Sequence, residues 1–283
     1  MTMSLPSPEL ETAYAETVEA EMYYVCESGA PAPTKKQLGI TTARIGGGVA
    51  LSMKEDTTGF WSKALGFGAT EPVTADLLRE VLAFFRDAGT PSATLQIAPS
   101  ALPVDWPAIA ADLGLAEGGE WWKLAAPLDR VEAPGTTRLR VAPVRPEDAE
   151  VWGRVVVRGF GMPEDALGPM VAAYVENPGF IPFAVWDGED IVAGANLFVH
   201  GPVASLNSGS TLPSHRGLGA QPALIAARIE AAREAGCEWV VAETGRPQPG
   251  TANASLANLE RAGLHRLYAR RNWRWSNPEV REG

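Results

Sequence analysis

The sequence predicts an α/β chain, with helices and strands mixed along it (α+β mixed) in two successive halves. Three observations carry this. Short alternating or β-branched runs recur between longer runs with helical spacing. The order helix, strand, helix, strand between residues 74 and 128 returns toward the C-terminus. Between the two lies Val131-Glu132-Ala133-Pro134-Gly135-Thr136-Thr137, which is short, polar and turn-rich, as a linker is. The expected units are residues 1–133 and 138–283, the first a diverged copy of the second.

Composition narrows the function. Of 283 residues, 46% are hydrophobic and 20% charged, which supplies a sizeable core. No run of about 18 apolar residues suggests a membrane span. Met1 to Glu19 carries acids and lacks the basic start of a secretory signal. Cys26 and Cys237 make no disulfide framework and read as reduced thiols, so a cytoplasmic location is expected. Three histidines and two separated cysteines give no metal-ligand pattern. The net charge of −10 argues against a nucleic-acid surface and is compatible with a cationic amine substrate.

In the first half, Pro6 to Glu21 has the pattern of an amphipathic helix, and Pro31-Ala32-Pro33 reads as a loop. Thr41 to Met53 alternates as a strand, and its Gly46-Gly47-Gly48 reads as a bulge or close packing. The aromatic, glycine-rich run Phe60 to Gly68 is expected at a core or junction. A helix from Thr74 or Ala75 to Ala88 presents Leu77, Leu78, Val81, Leu82 and Phe85 on one face. Strand Thr94 to Ala98, helix Pro103 to Leu113 and strand Trp121 to Leu128 follow.

The second half opens with strand Arg138 to Val144 and a helix led by Pro146-Glu147-Asp148. A helix over Asp165 to Val175 precedes strands Phe183 to Asp187 and Ile191 to Val199. Strand Val203 to Thr211 is rich in small polar residues, either a solvated face or a backbone left open to a ligand. It runs into Arg216-Gly217-Leu218-Gly219-Ala220-Gln221 and a helix from about Pro222 to Ala235. Such a strand, glycine turn and helix can aim backbone N–H groups at an anion, with Arg216 adding a cation; a purely structural turn has the same spacing. Arg228 and Arg233 lie off the buried face of that helix, where they are expected to be solvated.

Arg216 to Gln221 resembles the acyl-CoA pyrophosphate loop of the GNAT N-acetyltransferase superfamily, with Gln221 in place of the last small residue. The strand Trp239 to Thr244 and the segment Asn253 to Leu264, ending Arg261-Ala262-Gly263-Leu264, resemble the elements downstream of that loop in the family. The resemblance covers roughly residues 138–283. It implies two GNAT-like domains, each a mixed, mostly antiparallel sheet flanked by helices, the first without the loop. It implies acetyl-CoA as co-substrate, held by Thr211, Leu212, Arg216, Gly217, Leu218, Gly219, Ala220, Gln221, Asn253 and Ser255. It also implies transfer of the acetyl group to a primary amine, of a small molecule, in a ternary complex. A non-catalytic acyl-CoA-binding or regulatory module is the alternative, and a monomer or homodimer is expected.

Attack by an amine on a thioester needs a base, an oxyanion site and an acid for the departing thiolate. Glu243, ending an apolar strand, is the candidate base; the other reading is a structural acid that caps the next loop or pairs with Arg246. His200 and His215 are alternatives, since imidazole ordinarily titrates near neutrality. The family's usual tyrosine position holds Leu259, so Tyr268 on the last strand is the candidate acid; the other reading is a buried structural tyrosine. Arg266, Arg270, Arg271 and Arg274, interleaved with aromatics, read as one solvated basic face of that strand.

Overall fold

One sheet joins the two halves. The computed structural model describes residues 8–133 and 135–280. Pro6, where the first helix was expected to begin, and Pro134 of the linker lie outside the described residues. The elements run α1 (Pro8–Ser28), α2 (Ala32–Leu38), β1 (Ile40–Ile45), β2 (Gly48–Met53), β3 (Lys63–Leu65), α3 (Ala75–Asp87), β4 (Ser92–Gln96), α4 (Trp106–Asp112) and β5 (Ala116–Pro127). Then come β6 (Arg140–Pro143), α5 (Ala149–Gly159), α6 (Glu164–Ala172), β7 (Phe180–Asp187), β8 (Asp190–His200), β9 (Val203–Thr211), α7 (Ala220–Glu234), β10 (Trp239–Gly245), α8 (Ala254–Arg261) and β11 (His265–Ser276).

The strand order is β1-β2-β3-β4-β11-β5-β10-β9-β8-β7-β6. It reads as a near palindrome about the β11–β5 pair. Parallel pairs β3/β4 and β9/β10 take matching places, and every other ladder is antiparallel. The terminal strands are exchanged: β5 of the first half sits beside β10, and β11 of the second half sits beside β4.

The period of two along each strand builds a core on both faces. On β5, Leu124 and Ala126 pack with Leu224, Ile225 and Ile229 of α7 and Leu256 and Leu259 of α8. On the opposite face Ala125 joins Ala15, Val18 and Met22 of α1, Trp152 of α5 and Met170 of α6. In the first half, Leu78, Val81, Leu82 and Phe85 of α3 cover Leu95 of β4 and Trp273 and Trp275 of β11. Thr74 caps α3 by accepting from the Leu77 amide at 3.2 Å.

Four local expectations change. Pro31-Ala32-Pro33 is not a loop: Ala32 and Pro33 form the first turn of α2, where a proline's missing N–H is not needed. Gly46-Gly47 is a two-residue hairpin turn, with φ of +53° and +73°, so Thr41 to Met53 is two strands rather than one. Two left-handed residues suit the twist of a hairpin, and glycine adopts them at least cost. Helix α7 starts at Ala220, so Pro222 is its third residue; the absent N–H there is still one that the helix leaves unpaired. Arg270 is not on a solvated face but fully buried, because acids of α1 pair with it.

Candidate cofactor and catalytic site

β9 and β10 pair over only four residues, Val203–Leu206 with Trp239–Ala242. Both strands continue beyond, unpaired with each other. The cause is a bulge. Across the β8–β9 ladder Asn196 faces Asn207, but Gly194 faces Ser210, so β9 carries one extra residue. Ser208 absorbs it with φ +53°, alone among the described non-glycine residues in having positive φ. That conformation costs about 1–2 kcal/mol. Arg228 clips the bulge from below: its Nη1 donates to the carbonyls of Asn196 (3.1 Å) and Asn207 (3.2 Å). The expectation of a solvated Arg228 was wrong, because the residue faces the sheet and is 3% exposed. Burial lowers its pKa to about 9. No carboxylate among the described residues pairs with it.

The strand then enters the glycine loop. Arg216 is exposed and its guanidinium lies 3.4 Å from the carbonyls of Thr211 and Gly159. Gln221 Nε2 donates to Ser210 O at 2.9 Å and Thr211 Oγ1 at 3.0 Å, fixing the end of β9 to the first turn of α7. Gly217 and Gly219 both have φ near +80°. They differ in surroundings. A Cβ on Gly217 would meet nothing within 4 Å, whereas one on Gly219 would lie 2.6 Å from the Thr136 carbonyl. Thr137 Oγ1 also donates to Leu218 O at 2.7 Å. Gly219 is therefore fixed by the linker, and Gly217 faces open space. The first amides of α7, at Ala220 and Gln221, have no partner within the helix.

Asn253 caps α8 by accepting from the Leu256 amide (3.1 Å) and donates to Thr244 Oγ1 (3.0 Å) and Gly245 O (2.7 Å). It ties α8 to the end of β10. Ser255 is exposed on the first turn. In the first half the corresponding loop is closed: Phe67 is 2% exposed, and a Cβ on Gly68 would lie 2.4 Å from the Ala101 methyl.

Glu243 is the first residue of β10 past its pairing with β9. Its Oε1 accepts from Lys123 Nζ at 2.9 Å, and no donor among the described residues is paired with Oε2. Lys123 comes from β5 and also donates to Glu19 of α1 at 2.7 Å. Arg270 completes the array by donating to Glu16 (2.7 Å) and Glu19 (2.9 Å). These groups lie between α1 and the sheet, where each charge has a partner. Burial raises the Glu243 pKa, and the Lys123 charge opposes that rise. Burial would raise Glu19 too, but Arg270 and Lys123 outweigh it and hold that carboxyl at about 2. Arg246 pairs with Glu120 at 2.6 Å, not with Glu243.

Tyr268 is not brought to this place. β5 stands between β10 and β11, so Tyr268 lies two ladders away, about 10 Å. Its hydroxyl donates to Glu16 at 2.7 Å, and burial, with the Glu16 charge, raises its pKa well above the ordinary phenol value. Leu259 is a core residue of α8. His215 is held by Ser214 (2.8 Å) and lies 3.4 Å from Asp187, while His200 is exposed at the far end of β8. Nothing in the sequence singles out Lys123 or Glu19, because buried charge leaves no periodic signal distinct from a solvated face. No described helix is long and apolar enough to cross a membrane, and no cluster of metal-ligating side chains occurs among the described residues.

No family model and no curated protein matches the chain by sequence. Solved structures do match. A GCN5-related N-acetyltransferase from Kribbella flavida superposes with a TM-score of 0.62 at 16% identity, covering 94% of this chain and 96% of that one. One from Sphaerobacter thermophilus gives 0.57 at 14% identity, covering 97% and 95%. A tandem GNAT protein from the clavulanic acid biosynthesis pathway gives 0.58 at 14% identity, covering 97% and 98%. At these identities the likeness establishes the fold: tandem GNAT over nearly the whole chain.

Proposed function

We propose that this tandem GNAT-fold chain is an N-acetyltransferase that uses acetyl-CoA to acetylate a primary amine on a small molecule. The observation that carries this is the splay of β9 from β10, held open by the Ser208 bulge and followed at once by the Arg216–Gly219 loop. The residues present fit acetyl-CoA. Gly217 leaves open space beside the first amides of α7, and the β9 backbone past Leu206 has no partner on the β10 side. Arg216 and the amides of Leu218, Gly219, Ala220 and Gln221 would hold the pyrophosphate, and the edge of β9 would hold the acyl arm. Bound acetyl-CoA supplies an activated acetyl thioester.

The chain's own groups do the rest. Lys123 anchors Glu243 Oε1, which leaves Oε2 as the atom that takes the proton from the attacking amine. Raising its pKa by burial makes the carboxylate a stronger base than a free glutamate. The β9 amides left unpaired past Leu206 would donate to the thioester carbonyl oxygen, where negative charge develops. The Tyr268 hydroxyl donates to Glu16, and the proton source for the departing thiolate in this reading is water.

The test is calorimetric titration with acetyl-CoA of wild type, Arg216→Glu and Gly217→Asp, followed by turnover on a panel of small cationic amines. Saturable binding lost in both variants, with turnover by wild type, is expected. Absence of binding in wild type would overturn the reading. One observation favours a second reading: only 8% of the Glu243 side chain is exposed, and it already has a partner. Acetyl-CoA binding without turnover, unchanged in Glu243→Gln, would identify a non-catalytic acyl-CoA-binding or regulatory module.

A further inference from the structure

The near palindrome of strands gives the first half a counterpart of the Glu243 site. On β4, Gln96 stands opposite Asn272 of β11 at the end of the β3/β4 parallel pair, as Glu243 stands opposite Lys123 of β5. Gln96 Nε2 donates to Asn272 Oδ1 at 2.8 Å. An amide pair thus replaces a charged pair. Over it lies a cavity of about 60 Å³, also lined by Glu19, Tyr23, Phe60, Lys63 and Trp121.

One buried polar atom there is unsatisfied, and one ammonium rests on aromatic faces. Gln96 Oε1 is buried with no donor among the described residues. Lys63 is 4% exposed, and no hydrogen-bond acceptor among the described residues is paired with its Nζ. The ammonium rests against aromatic faces instead, 4.0 Å from the Tyr23 centroid and 3.5 Å from that of Phe60. Such faces contribute about 0.5–2 kcal/mol, less than a buried ammonium loses on leaving water. The nearby Glu19 is committed to Lys123 and Arg270. Burial lowers the Lys63 pKa to about 8.

We propose that this cavity binds a small carboxylate bearing an α-hydroxyl or α-ammonium group. The carboxylate pairs with Lys63 Nζ and the α donor with Gln96 Oε1. At about 10–15 Å³ for each water-sized sphere, the space takes roughly four to six heavy atoms, a range that includes glycolate and glycine. Half-buried Phe60 and Trp121 with exposed Gly59 form the mouth. The amide pair supplies no base, so the site binds rather than reacts. It stands independently of acetyl transfer by the second half.

The test titrates the full chain with glycolate, glycine, acetate and methylammonium, by calorimetry and by the ¹³Cε shift of Lys63. Saturable binding of glycolate or glycine is expected, with acetate about tenfold weaker because Gln96 Oε1 stays unpaired. Methylammonium should not bind. The bound carboxylate should move the Lys63 midpoint upward from about 8. Lys63→Met should abolish binding, and Gln96→Leu should remove the preference for glycolate over acetate. No saturable binding, which would mean water alone fills the cavity, overturns the proposal. So does binding that survives Lys63→Met, or a Lys63 midpoint that ligand leaves unmoved.

Discussion

Two glycines with the same backbone angle separate packing from ligand binding. Gly219 cannot accept a Cβ without striking the Thr136 carbonyl, so Gly219→Ala should destabilise the fold whether or not acetyl-CoA binds there. The expected loss is about 1–3 kcal/mol, from the clash and the positive φ together, read as a shifted urea midpoint. Gly217 has the same φ and no neighbour. Gly217→Asp should cost about 1 kcal/mol of stability or less but weaken acetyl-CoA binding at least tenfold by placing a carboxylate at the anion site. Equal effects of both changes on binding and stability would remove Gly217 from the site. The glycine motif was legible in the sequence; the different reasons for its two glycines were not, because one depends on a linker 81 residues upstream in the Thr137–Leu218 contact.

At the scale of elements, β5 is the strand that decides the chemistry. It carries Lys123 from the first half to Glu243 of the second. Removing that charge leaves Glu19 and Glu243 facing each other beneath α1, and repulsion then raises the Glu243 pKa further. Glu243 must be ionised to accept a proton, so activity falls as pH drops through its folded pKa. Lys123→Met should therefore move the acidic limb of the kcat/KM profile to higher pH, with acetyl-CoA affinity changed less than threefold. An unmoved limb would show that Glu243 is not the titrating base. Glu243→Gln should lower kcat by about 10²–10⁴ in a protein that still binds acetyl-CoA. The sequence showed that β5 and β11 are strands, since both alternate. It did not show that they trade places, because the same alternation fits either partner. The acids of α1 were equally opaque: Glu16 and Glu19 look like a wet helix face until Arg270 and Lys123 lie beneath them.

For the whole molecule, the exchange makes each half incomplete without the other. The array under α1 sets the acid limit. Glu19 has a folded pKa of about 2 against an ordinary value of 4.5. Between those values the unfolded chain binds a proton that the folded chain refuses, so the stabilisation present above pH 4.5 is lost progressively as pH falls toward 2. Urea midpoints should drop across that window. Cutting the chain at the linker tests the exchange itself. The piece 138–283 would lose β5 from beside β10, and Arg270 would remain on β11 without Glu16 or Glu19. The piece 1–137 would lose Trp273 and Trp275 from the α3 core, each worth roughly 4–6 kcal/mol at about 25 cal/mol per Å² of apolar burial. Neither loss is small against the ~5–15 kcal/mol by which a domain is stable. Each piece alone should lack cooperative thermal unfolding, and mixing them should restore the single transition of the intact chain. If 138–283 alone unfolds cooperatively and binds acetyl-CoA, β11 must be able to take the place of β5, and the shared sheet is a convenience of assembly rather than a condition of folding.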